Sequence, residues 1–405
     1  MKKQKGGVRL SIEYKSANPQ GNTTTANAFF MANSRFRILT NNSISCITLV
    51  ATLNEGIESP FRSMRSNDID IHVRSLLVKV FITNQRSDWY SIPSREIYNG
   101  IEITSYTQFT AEIQRSIDIY KQSIISDDSL LDGICPAIIS SITLPRNNES
   151  VRDLWQLFNV NDAGLGYILT AALDPNPNGN TISIITMEFM EGFDTAYNVL
   201  NNNINNPTRF RFLMAVVQYE FRRLNLFGYR HGDAHLNNVL INPNYQYFTR
   251  SGNPEYLGRA IIIDFGRTTA LSPDQLRLVR SGDVSICAAE IQNTILDRSL
   301  IRNGLARLPN DNRPILYMSE EINELQRWRA NYINDITIPY LRQRLELGNN
   351  GNVKEHIVNN ILPSDYWYHL GGTKNKEKGR KSTLTKLKKK SKKTQKNKTS
   401  SRKQK

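Results

Sequence analysis

Two short polar segments contain the residues of this chain that are best suited to chemistry. The first reads HGDAHLNN (residues 231–238), and the second reads IIIDFG (residues 261–266). Asn238 and Asp264 carry oxygen atoms of the kind that bind Mg²⁺ while the metal keeps water and phosphate ligands. Asp233 lies five residues before Asn238, so it can face the same cluster and accept a proton from an attacking hydroxyl group. The two segments predict a site for a metal ion and phosphate groups.

A zinc site is the competing interpretation of the first segment. His231 and His235 lie four residues apart, which would place both on one face of a helix as metal ligands. Gly232 disfavours a helix at this point, and no third soft ligand lies nearby in the sequence. The first segment is therefore a poor candidate for a zinc site.

The elements that must position these segments fall into a strand-rich half and a helical half. In the first half, apolar runs predict strands around one helix, which has Phe109, Ile113, Ile117 and Tyr120 on a single face. The predicted strands cover residues 45–53, 74–83, 134–144 and 181–190, and the helix covers residues 105–125. From residue 193 the pattern predicts a helix over 208–228, short strands over 238–242 and 259–264, a helix capped by Ser272, and further helices over 283–296 and 322–347.

The motif H-x-D-x-x-x-x-N followed by D-F-G resembles the catalytic signature of the protein-kinase-like superfamily. The residues that match it position by position are His231, Asp233, Asn238, Asp264, Phe265 and Gly266. The resemblance implies an α+β, two-lobed fold, with a small strand-rich lobe over residues 45–192 and a larger helical lobe over residues 193–345. It leaves residues 1–44 as a partly ordered arm and residues 346–370 as a linker or extra helix.

The same resemblance implies that the chain binds ATP and Mg²⁺. Lys79, in LLVKVF, resembles the strand lysine that holds the α and β phosphates, and Glu112 resembles the helix glutamate that orients this lysine. Glu96 competes with Glu112 as the partner, because 33 residues separate Lys79 from Glu112 and an insert lies between them. The segment ITMEFMEG resembles the hinge, where the backbone of Glu188 to Met190 would bind adenine.

The remaining matched residues receive their roles from the resemblance as well. Asn238 and Asp264 would bind Mg²⁺, and Asp233 would position or deprotonate the acceptor hydroxyl, which for such a base is worth about 10²–10⁴ in rate. His235, where protein kinases usually carry lysine, is similar to the residue of aminoglycoside phosphotransferases and joins the catalytic set. Asp283 resembles the aspartate that opens a helix and braces the catalytic segment, and it is equally suited to a plain helix N-cap.

Two departures from the family pattern bear on activity and substrate. No G-x-G-x-x-G precedes Lys79, and LNEGIESPF offers only Gly56 as a cofactor-binding glycine. Only 19 residues separate Asp264 from Asp283, and no A-P-E follows, so the segment that docks peptide substrates in protein kinases is short. The acceptor therefore stays open between a Ser/Thr side chain of a protein and a small-molecule hydroxyl. A pseudokinase-type binding scaffold is the alternative to an enzyme.

All of the excess positive charge lies in the last 35 residues. Residues 371–405 hold 16 of the 52 Lys and Arg and one of the 37 Asp and Glu, so residues 1–370 carry 36 of each sign. This tail is predicted to be disordered, because it has almost nothing apolar to bury. Nucleic acid or an anionic surface would bind it, so a nucleic-acid-associated protein acting through the tail is a further alternative.

Cysteine content and hydropathy predict an intracellular protein. Cys46, Cys135 and Cys287 are odd in number and far apart, which is typical of reduced, buried cysteines. No apolar run is long enough to cross a bilayer, and no secretory signal is visible. The kinase-like motifs, the ICP turn and the lysine-rich C-terminus together resemble kinase-like proteins of large cytoplasmic DNA viruses, which implies a cytoplasmic, nuclear or virion-associated location.

Overall fold

A largely antiparallel sheet forms the small lobe of the computed structural model. Its main strands are Ser34–Thr40 (β1), Ile47–Glu58 (β2), His72–Asn84 (β3), Ile138–Leu144 (β4) and Asn180–Glu188 (β5). They lie in the order β1-β2-β3-β5-β4, and the short strand Thr104–Ser105 pairs in parallel with the end of β3. Strands β2 to β5 confirm the predicted strands. Strand β1 lies in the segment predicted as a loose arm, where Arg37 pairs with Val50 of β2.

The structure describes only part of the chain. The described residues are 10–11, 34–40, 46–58, 72–84, 97–98, 101–126, 132–144, 180–248, 254–291, 295–305, 318–361 and 369–370. Glu96, the tail over residues 371–405 and most of the predicted N-terminal arm lie outside them. Short strand pairs lie at Leu10–Ser11 with His369–Leu370, Ile97–Tyr98 with Ile101–Glu102, and Gln246–Phe248 with Pro254–Tyr256.

One long helix, Tyr106–Ile124 (α1), packs against the sheet of the small lobe. Its N-cap is Ser105, whose side-chain oxygen accepts a hydrogen bond from the Gln108 N–H at 3.1 Å. The predicted apolar face is confirmed, because Phe109, Ile113, Ile117 and Tyr120 are all buried. The ring of Phe109 meets the edge of Phe81 on β3 at a centroid distance of 5.3 Å, which fixes the helix over the strand that carries Lys79.

The large lobe is built around the helix Pro207–Leu226 (α3). Asn206 caps this helix and Pro207 begins it, as the sequence pattern favours. The helix is buried on nearly every side, and its acidic residue Glu220 forms ion pairs with Arg223 at 2.5 Å and with Arg329 at 2.9 Å. The other helices of this lobe are Ala196–Asn202 (α2), Pro273–Arg280 (α4), Ser285–Glu290 (α5), Ile295–Leu305 (α6), Ser319–Tyr332 (α7), Ile338–Arg344 (α8) and Val353–His356 (α9), with π-helical turns at Ile333–Thr337 and Ile357–Ile361.

Small strands in the large lobe support the two polar segments. A three-stranded sheet consists of Asp194–Thr195 (β6), Val239–Asn242 (β8) and Arg259–Ile262 (β9), in the order β6-β8-β9. A two-stranded ribbon pairs Tyr229–Arg230 (β7) with Thr269–Ala270 (β10). Strands β7 and β8 flank residues 231–238, and strands β9 and β10 flank Asp-Phe-Gly. Both polar segments therefore lie at strand ends, as predicted.

The short segment over residues 132–135 forms hydrogen bonds to both lobes. The Ile134 carbonyl accepts a hydrogen bond from the Ile262 N–H of β9 at 2.7 Å, and the Ile134 N–H donates to the Ser123 hydroxyl of α1 at 3.2 Å. Arg259 adds a hydrogen bond to the Gly133 carbonyl at 3.1 Å. The carboxyl end of α1 is thus fixed to the strand that leads into Asp264.

Three further observations bear on the sequence predictions. The helix predicted over residues 283–296 is confirmed only in part, because α5 ends at Glu290 and residues 292–294 lie outside the described chain. The capping box of α4, formed by Ser272 and Gln275, is present as predicted. The cysteines Cys46, Cys135 and Cys287 are buried and free of disulfides. None of the described helices is both long and apolar enough to cross a membrane.

Candidate functional site

Lys79 and Glu112 form an ion pair between β3 and α1. The Lys79 Nζ lies 3.8 Å from the Glu112 Oε1, and the two side chains are only 11% and 12% exposed. Lys79 is positioned by the register of β3, where it lies opposite Thr48 of β2 and Ile185 of β5. Glu112 is held by α1, which begins at the Ser105 cap. The structure therefore brings together the predicted lysine and the predicted helix glutamate.

Asp264 lies two residues beyond β9 and adopts an uncommon backbone conformation. Its φ angle is 67°, in the left-handed region that a non-glycine residue rarely occupies. The Gly266 N–H donates to its Oδ1 at 3.4 Å. An added Cβ at Gly266 would lie 3.4 Å from both Asp264 Oδ1 and Glu112 Oε2, so carboxylates from the two lobes flank this glycine. Such local strain is typical of functional sites, where it aims a side chain.

Lys79, Glu112 and Asp264 place one positive side chain beside two acidic ones. Burial acts to lower the pKa of Lys79, but the carboxylates of Asp264 and Glu112 outweigh burial and raise that pKa above its usual value. Burial raises the pKa of Glu112 in spite of its contact with Lys79, and nearby Asp264 adds to the rise. Burial also acts to raise the pKa of Asp264, but Lys79 and the Gly266 N–H lower it overall. One amine thus serves two carboxylates, which favours the binding of an additional cation.

His231 supports the loop over residues 231–238 from below. It is fully buried, and its ring lies 5.5 Å from the Phe265 ring and 5.9 Å from the Phe221 ring. The Asp233 N–H donates to the His231 Nδ1 at 3.3 Å, so the Nε2 carries the proton that is donated to the Ile263 carbonyl at 3.0 Å. Burial, the largest effect, lowers the pKa of His231 below its ordinary value.

Asn238 is oriented by the same loop. The side-chain Nδ2 of Asn238 donates to the Asp233 backbone carbonyl at 2.9 Å. The backbone carbonyl of Asn238 accepts a hydrogen bond from the Ile263 N–H, also at 2.9 Å. The side-chain amide is therefore fixed with its nitrogen toward the loop, which leaves its oxygen as the atom suited to a metal ion. One amide oxygen and one carboxylate fit Mg²⁺, which takes most of its ligands from water and phosphate. The described residues contain no group of three His, Cys, Asp or Glu side chains that could hold a metal ion by themselves.

Two buried carboxylates that sequence reasoning missed brace the loop over residues 231–238. Glu290, at the end of α5, accepts from the Gly232 N–H at 3.1 Å and from the Asn225 side chain at 3.0 Å. Asp297 of α6 accepts from the Leu236 N–H at 3.2 Å. Both are 3% exposed. An acidic residue within the apolar run SICAAEI is the signal that could have identified Glu290, because a buried charge needs a partner.

Asp283 does not brace this loop, which corrects the interpretation drawn from the resemblance. It is exposed, and its Oδ1 accepts from the Ser285 N–H at 2.7 Å. Hydrogen bonding from the Ser285 hydroxyl and then from the Ser285 N–H lowers the pKa of Asp283, so its contacts are those of a local turn at the start of α5. The helix carries its bracing carboxylate at its other end, at Glu290.

Gly56 is not brought to the cluster around Lys79. It lies near the end of β2, where Ile57 pairs with Val73 of β3, while Lys79 pairs with Thr48. Six residues of β3 separate these two levels, or about 20 Å of extended chain. Gly56 lies in a stretch of β2 where the register shifts between Thr52 and Ile57, so it belongs to an irregularity of the strand pairing.

Two backbone groups of the predicted hinge form hydrogen bonds within the chain. The Glu188 N–H donates to the Ala137 carbonyl at 2.9 Å, and the Met190 carbonyl accepts from the Phe193 N–H at 3.3 Å. Those two backbone groups are therefore already used within the chain.

His235 is partly exposed, and its backbone N–H donates to the Asp233 carbonyl at 2.9 Å. The positive charge of a protonated His235 would help to lower the pKa of Asp264.

Asp233 contacts an arginine that no sequence motif indicated. Its Oδ1 lies 3.5 Å from the Arg267 Nη1, and the side chains are 27% and 64% exposed, respectively. Arg267 directly follows Asp-Phe-Gly. The carboxylate of Asp233 therefore faces solvent at the mouth of the site, in contrast to the buried Lys79 and Glu112.

Comparisons with known proteins supply little beyond this geometry. No family model matches the chain, and no curated protein sequence does. Solved structures that it resembles include "WaaP in complex with acyl carrier protein", with 11% identity, 78% of this chain and 93% of that chain covered, and a TM-score of 0.31. Another is the Rio2 kinase–ADP/Mg²⁺–phosphoaspartate complex from Chaetomium thermophilum, with 11% identity, 77% and 72% covered, and a TM-score of 0.29.

The architecture itself fits the predicted fold class. A strand-rich lobe places Lys79 beside Glu112 of its packed helix, and a helical lobe presents Asp233, Asn238 and Asp264 from strand ends. The chain has an α+β, two-lobed fold, with one strand-rich lobe and one helical lobe.

Proposed function

We propose that this chain is an ATP- and Mg²⁺-dependent phosphotransferase that moves the γ-phosphoryl group to a hydroxyl. The observation that carries the proposal is the meeting of Lys79 and Glu112 from the small lobe with Asp264 from the large lobe. This set joins an amine for phosphate oxygens to a carboxylate for a metal ion. The negative charge left over around Lys79 is of the sign that a divalent cation would neutralise.

Each residue receives a role in the proposed reaction. Lys79 binds the α and β phosphates and Glu112 orients it, while Asn238 and Asp264 hold Mg²⁺, which when bound would neutralise charge on the phosphates. The acceptor oxygen forms a bond to the γ-phosphorus as the bond from that phosphorus to the bridging β-oxygen breaks, and ADP leaves. The hydroxyl proton passes to the carboxylate of Asp233.

Adenine recognition would use the backbone after β5. The Met190 N–H has no hydrogen-bond partner among the residues that the structure describes, and it can donate to a purine nitrogen. The Met190 carbonyl and the Glu188 N–H already form hydrogen bonds within the chain. Of the backbone groups predicted to bind adenine, the Met190 N–H is therefore the best suited.

A nucleotide-binding scaffold without turnover is the second candidate. Two observations favour it: Asp233 is occupied by Arg267, and Gly56 lies far from Lys79 along the sheet. A scaffold of this kind would still bind nucleotide and Mg²⁺. Turnover therefore separates the two candidates, and nucleotide binding does not.

The experiment measures release and transfer of label from [γ-³²P]ATP with Mg²⁺, using a panel of protein and small-molecule hydroxyl acceptors. Asp233→Ala should reduce the rate by about 10²–10⁴. Arg277→Gln, a change on the exposed face of α4, is the matched control and should leave the rate unchanged. Equal labelling by wild type and Asp233→Ala would contradict the proposal. Binding of Mg²⁺–ATP without any turnover would establish the scaffold instead.

A further inference from the structure

Three arginines from separate segments make contacts at or near the two polar segments. Arg267 follows Asp-Phe-Gly and contacts Asp233, Arg230 ends β7 and lies 3.7 Å from Glu290, and Arg115 of α1 donates to the Gly266 carbonyl at 3.4 Å. Residues 1–370 carry no net charge, so this cluster does not follow from composition. Positive side chains at the mouth of a site attract anionic ligands.

The ribbon of β7 and β10 directs two of these arginines to the same face. Arg230 lies opposite Thr269 in the pairing, so Arg267, two residues before Thr269, takes the diagonal position. A Cβ added to Gly232 would lie 2.4 Å from the Arg267 carbonyl and 3.6 Å from its Cβ, which shows how closely the two backbones approach. Residues at such diagonal positions of an antiparallel pair lie about 7–8 Å apart, within the combined reach of two arginines.

Successive residues of the ribbon and of the chain just beyond it alternate between buried and exposed positions. His231 and Thr268 are 0% exposed and face the core, where the Thr268 hydroxyl donates to the His231 carbonyl at 3.2 Å. Arg230 and Arg267 face solvent, with side chains that are 50% and 64% exposed. Gly232 contributes no side chain between them, because the Arg267 backbone occupies the position that a side chain would take.

We propose that Arg230 and Arg267 bind an anionic group of the phosphoryl acceptor, so that the acceptor is a compact molecule with a phosphate or carboxylate near its reactive hydroxyl. The inference rests on the proposed function, since Asp233 is the residue that would receive the hydroxyl proton. When such an acceptor binds, Arg267 exchanges its contact with Asp233 for the anion, and Asp233 becomes accessible to the hydroxyl. Arginine suits this use because its planar fork matches the oxygens of phosphate and carboxylate.

The segment after Asp-Phe-Gly favours a compact acceptor over an extended peptide. Between Gly266 and Ser272 the chain pairs with β7, and the Leu271 N–H donates to the Gly228 carbonyl at 2.8 Å. Helix α4 begins at once after Ser272. Only five residues separate Gly266 from Ser272, and one edge of this short segment is taken by β7, so it offers little length of chain to an extended peptide.

The test measures the binding of inorganic phosphate by calorimetry, with the full chain saturated by Mg²⁺ and a non-hydrolysable ATP analogue. Arg267→Gln and Arg230→Gln should each weaken phosphate binding about tenfold, since each removes a charge-assisted hydrogen bond. Arg277→Gln, on α4, is the matched control and should bind phosphate like wild type. Unchanged phosphate affinity in both ribbon variants, or no phosphate binding by wild type, would overturn the proposal.

Two further arms separate this inference from the proposed function. Lys79→Met should leave phosphate binding intact, because the proposed anion site lies on the ribbon; loss of binding in this variant would place the phosphate at the nucleotide instead and overturn the inference. Competition by glycerol 3-phosphate but not by glycerol supports a compact anionic acceptor. Stronger competition by an acidic serine peptide than by glycerol 3-phosphate would replace the compact acceptor with a peptide. Absence of ATP turnover, with phosphate binding intact, would count against the role of Asp233 and not against the arginines.

Discussion

The Gly232 N–H donates a hydrogen bond to the Glu290 carboxylate at 3.1 Å, which connects the loop beside Asp233 to a helix 58 residues further along the chain. Glu290 also accepts from Asn225 of α3, so one buried side chain joins the loop, α3 and α5. The position of Asp233 therefore depends on a residue that would not contact the substrate.

We expect Glu290→Gln to lower the free energy of unfolding by about 1–3 kcal/mol, because the Gly232 N–H loses a charged acceptor. Turnover should fall about tenfold to a hundredfold through the displaced Asp233, while the KM for ATP changes little. Asp283→Asn, two residues before the same helix, is the control and should change neither quantity, because Asp283 is exposed. Urea unfolding and steady-state kinetics measure the two effects. A larger effect of Asp283→Asn would restore Asp283 as the bracing residue.

Lys79 and Glu112 should be energetically coupled. Removing one partner of a buried ion pair costs about 3–5 kcal/mol when the other charge stays uncompensated. Because burial raises the pKa of Glu112, its carboxyl can take up a proton, so we expect Lys79→Met to cost less than this range. Combining Lys79→Met with Glu112→Gln should cost less than the sum of the single changes. A double-mutant cycle by urea unfolding at neutral pH tests this, and additive costs would mean that the pair contributes no coupling.

The stability of the protein should fall as the pH drops below about 6.5, the ordinary pKa of histidine. Burial holds the pKa of His231 below that value, so the unfolded chain takes up a proton that the folded chain does not. The contribution of His231 is fully present above pH 6.5 and is lost as the pH falls through the lowered pKa. For one proton, the slope reaches about 1.4 kcal/mol per pH unit at most.

His231→Gln should flatten this dependence between pH 7.5 and 5.5. Unfolding by urea at each pH measures the slope, and the ¹H shift of the His231 ring reports its titration directly in wild type. A His231 ring that titrates at or above pH 6.5 would contradict the prediction.

Deleting residues 371–405 should remove binding to nucleic acid and leave nucleotide binding intact. The deletion takes the formal net charge from +15 to zero. If the tail engages about six to ten phosphates, affinity for DNA should fall about 10³–10⁵-fold between 50 and 200 mM salt. Fluorescence anisotropy with a labelled duplex of arbitrary sequence measures both effects. Retained DNA binding by the shortened chain would point to a basic face within residues 1–370.

Site residues that lie close together in the sequence could be predicted more fully than contacts between residues that lie far apart in it. Asp233, Asn238 and Asp264 were predictable because short-range spacing and strand ends fix their relations. Lys79 and Glu112 were predictable as a resemblance, and their 3.8 Å contact depends on how α1 packs on β3. The bracing carboxylate was assigned to Asp283 wrongly, because the spacing from Asp264 identifies the helix and not which of its residues points inward.

Strand β1 and Gly56 show a second limit. Pairing between β1 and β2 is a tertiary choice, and the polar neighbours of β1 hide its alternation. Gly56 was selected because it was the one glycine near the expected loop, but the register of β2 with β3 places it about 20 Å from Lys79 along the strand. Register is set by the whole hairpin, and composition does not specify it.

The junction at residues 132–135 fixes the carboxyl end of α1 to the large lobe, whereas the amino end is fixed to β3 through Thr104–Ser105. Glu112 lies twelve residues before Ile124, or about 18 Å along the helix axis. A rotation of α1 by about 10° around its carboxyl end would move Glu112 about 3 Å relative to Asp264, which is enough to separate the two carboxylates that flank Gly266. Opening of the cleft would then move α1 and β3 together, with the axis of rotation near Ile134.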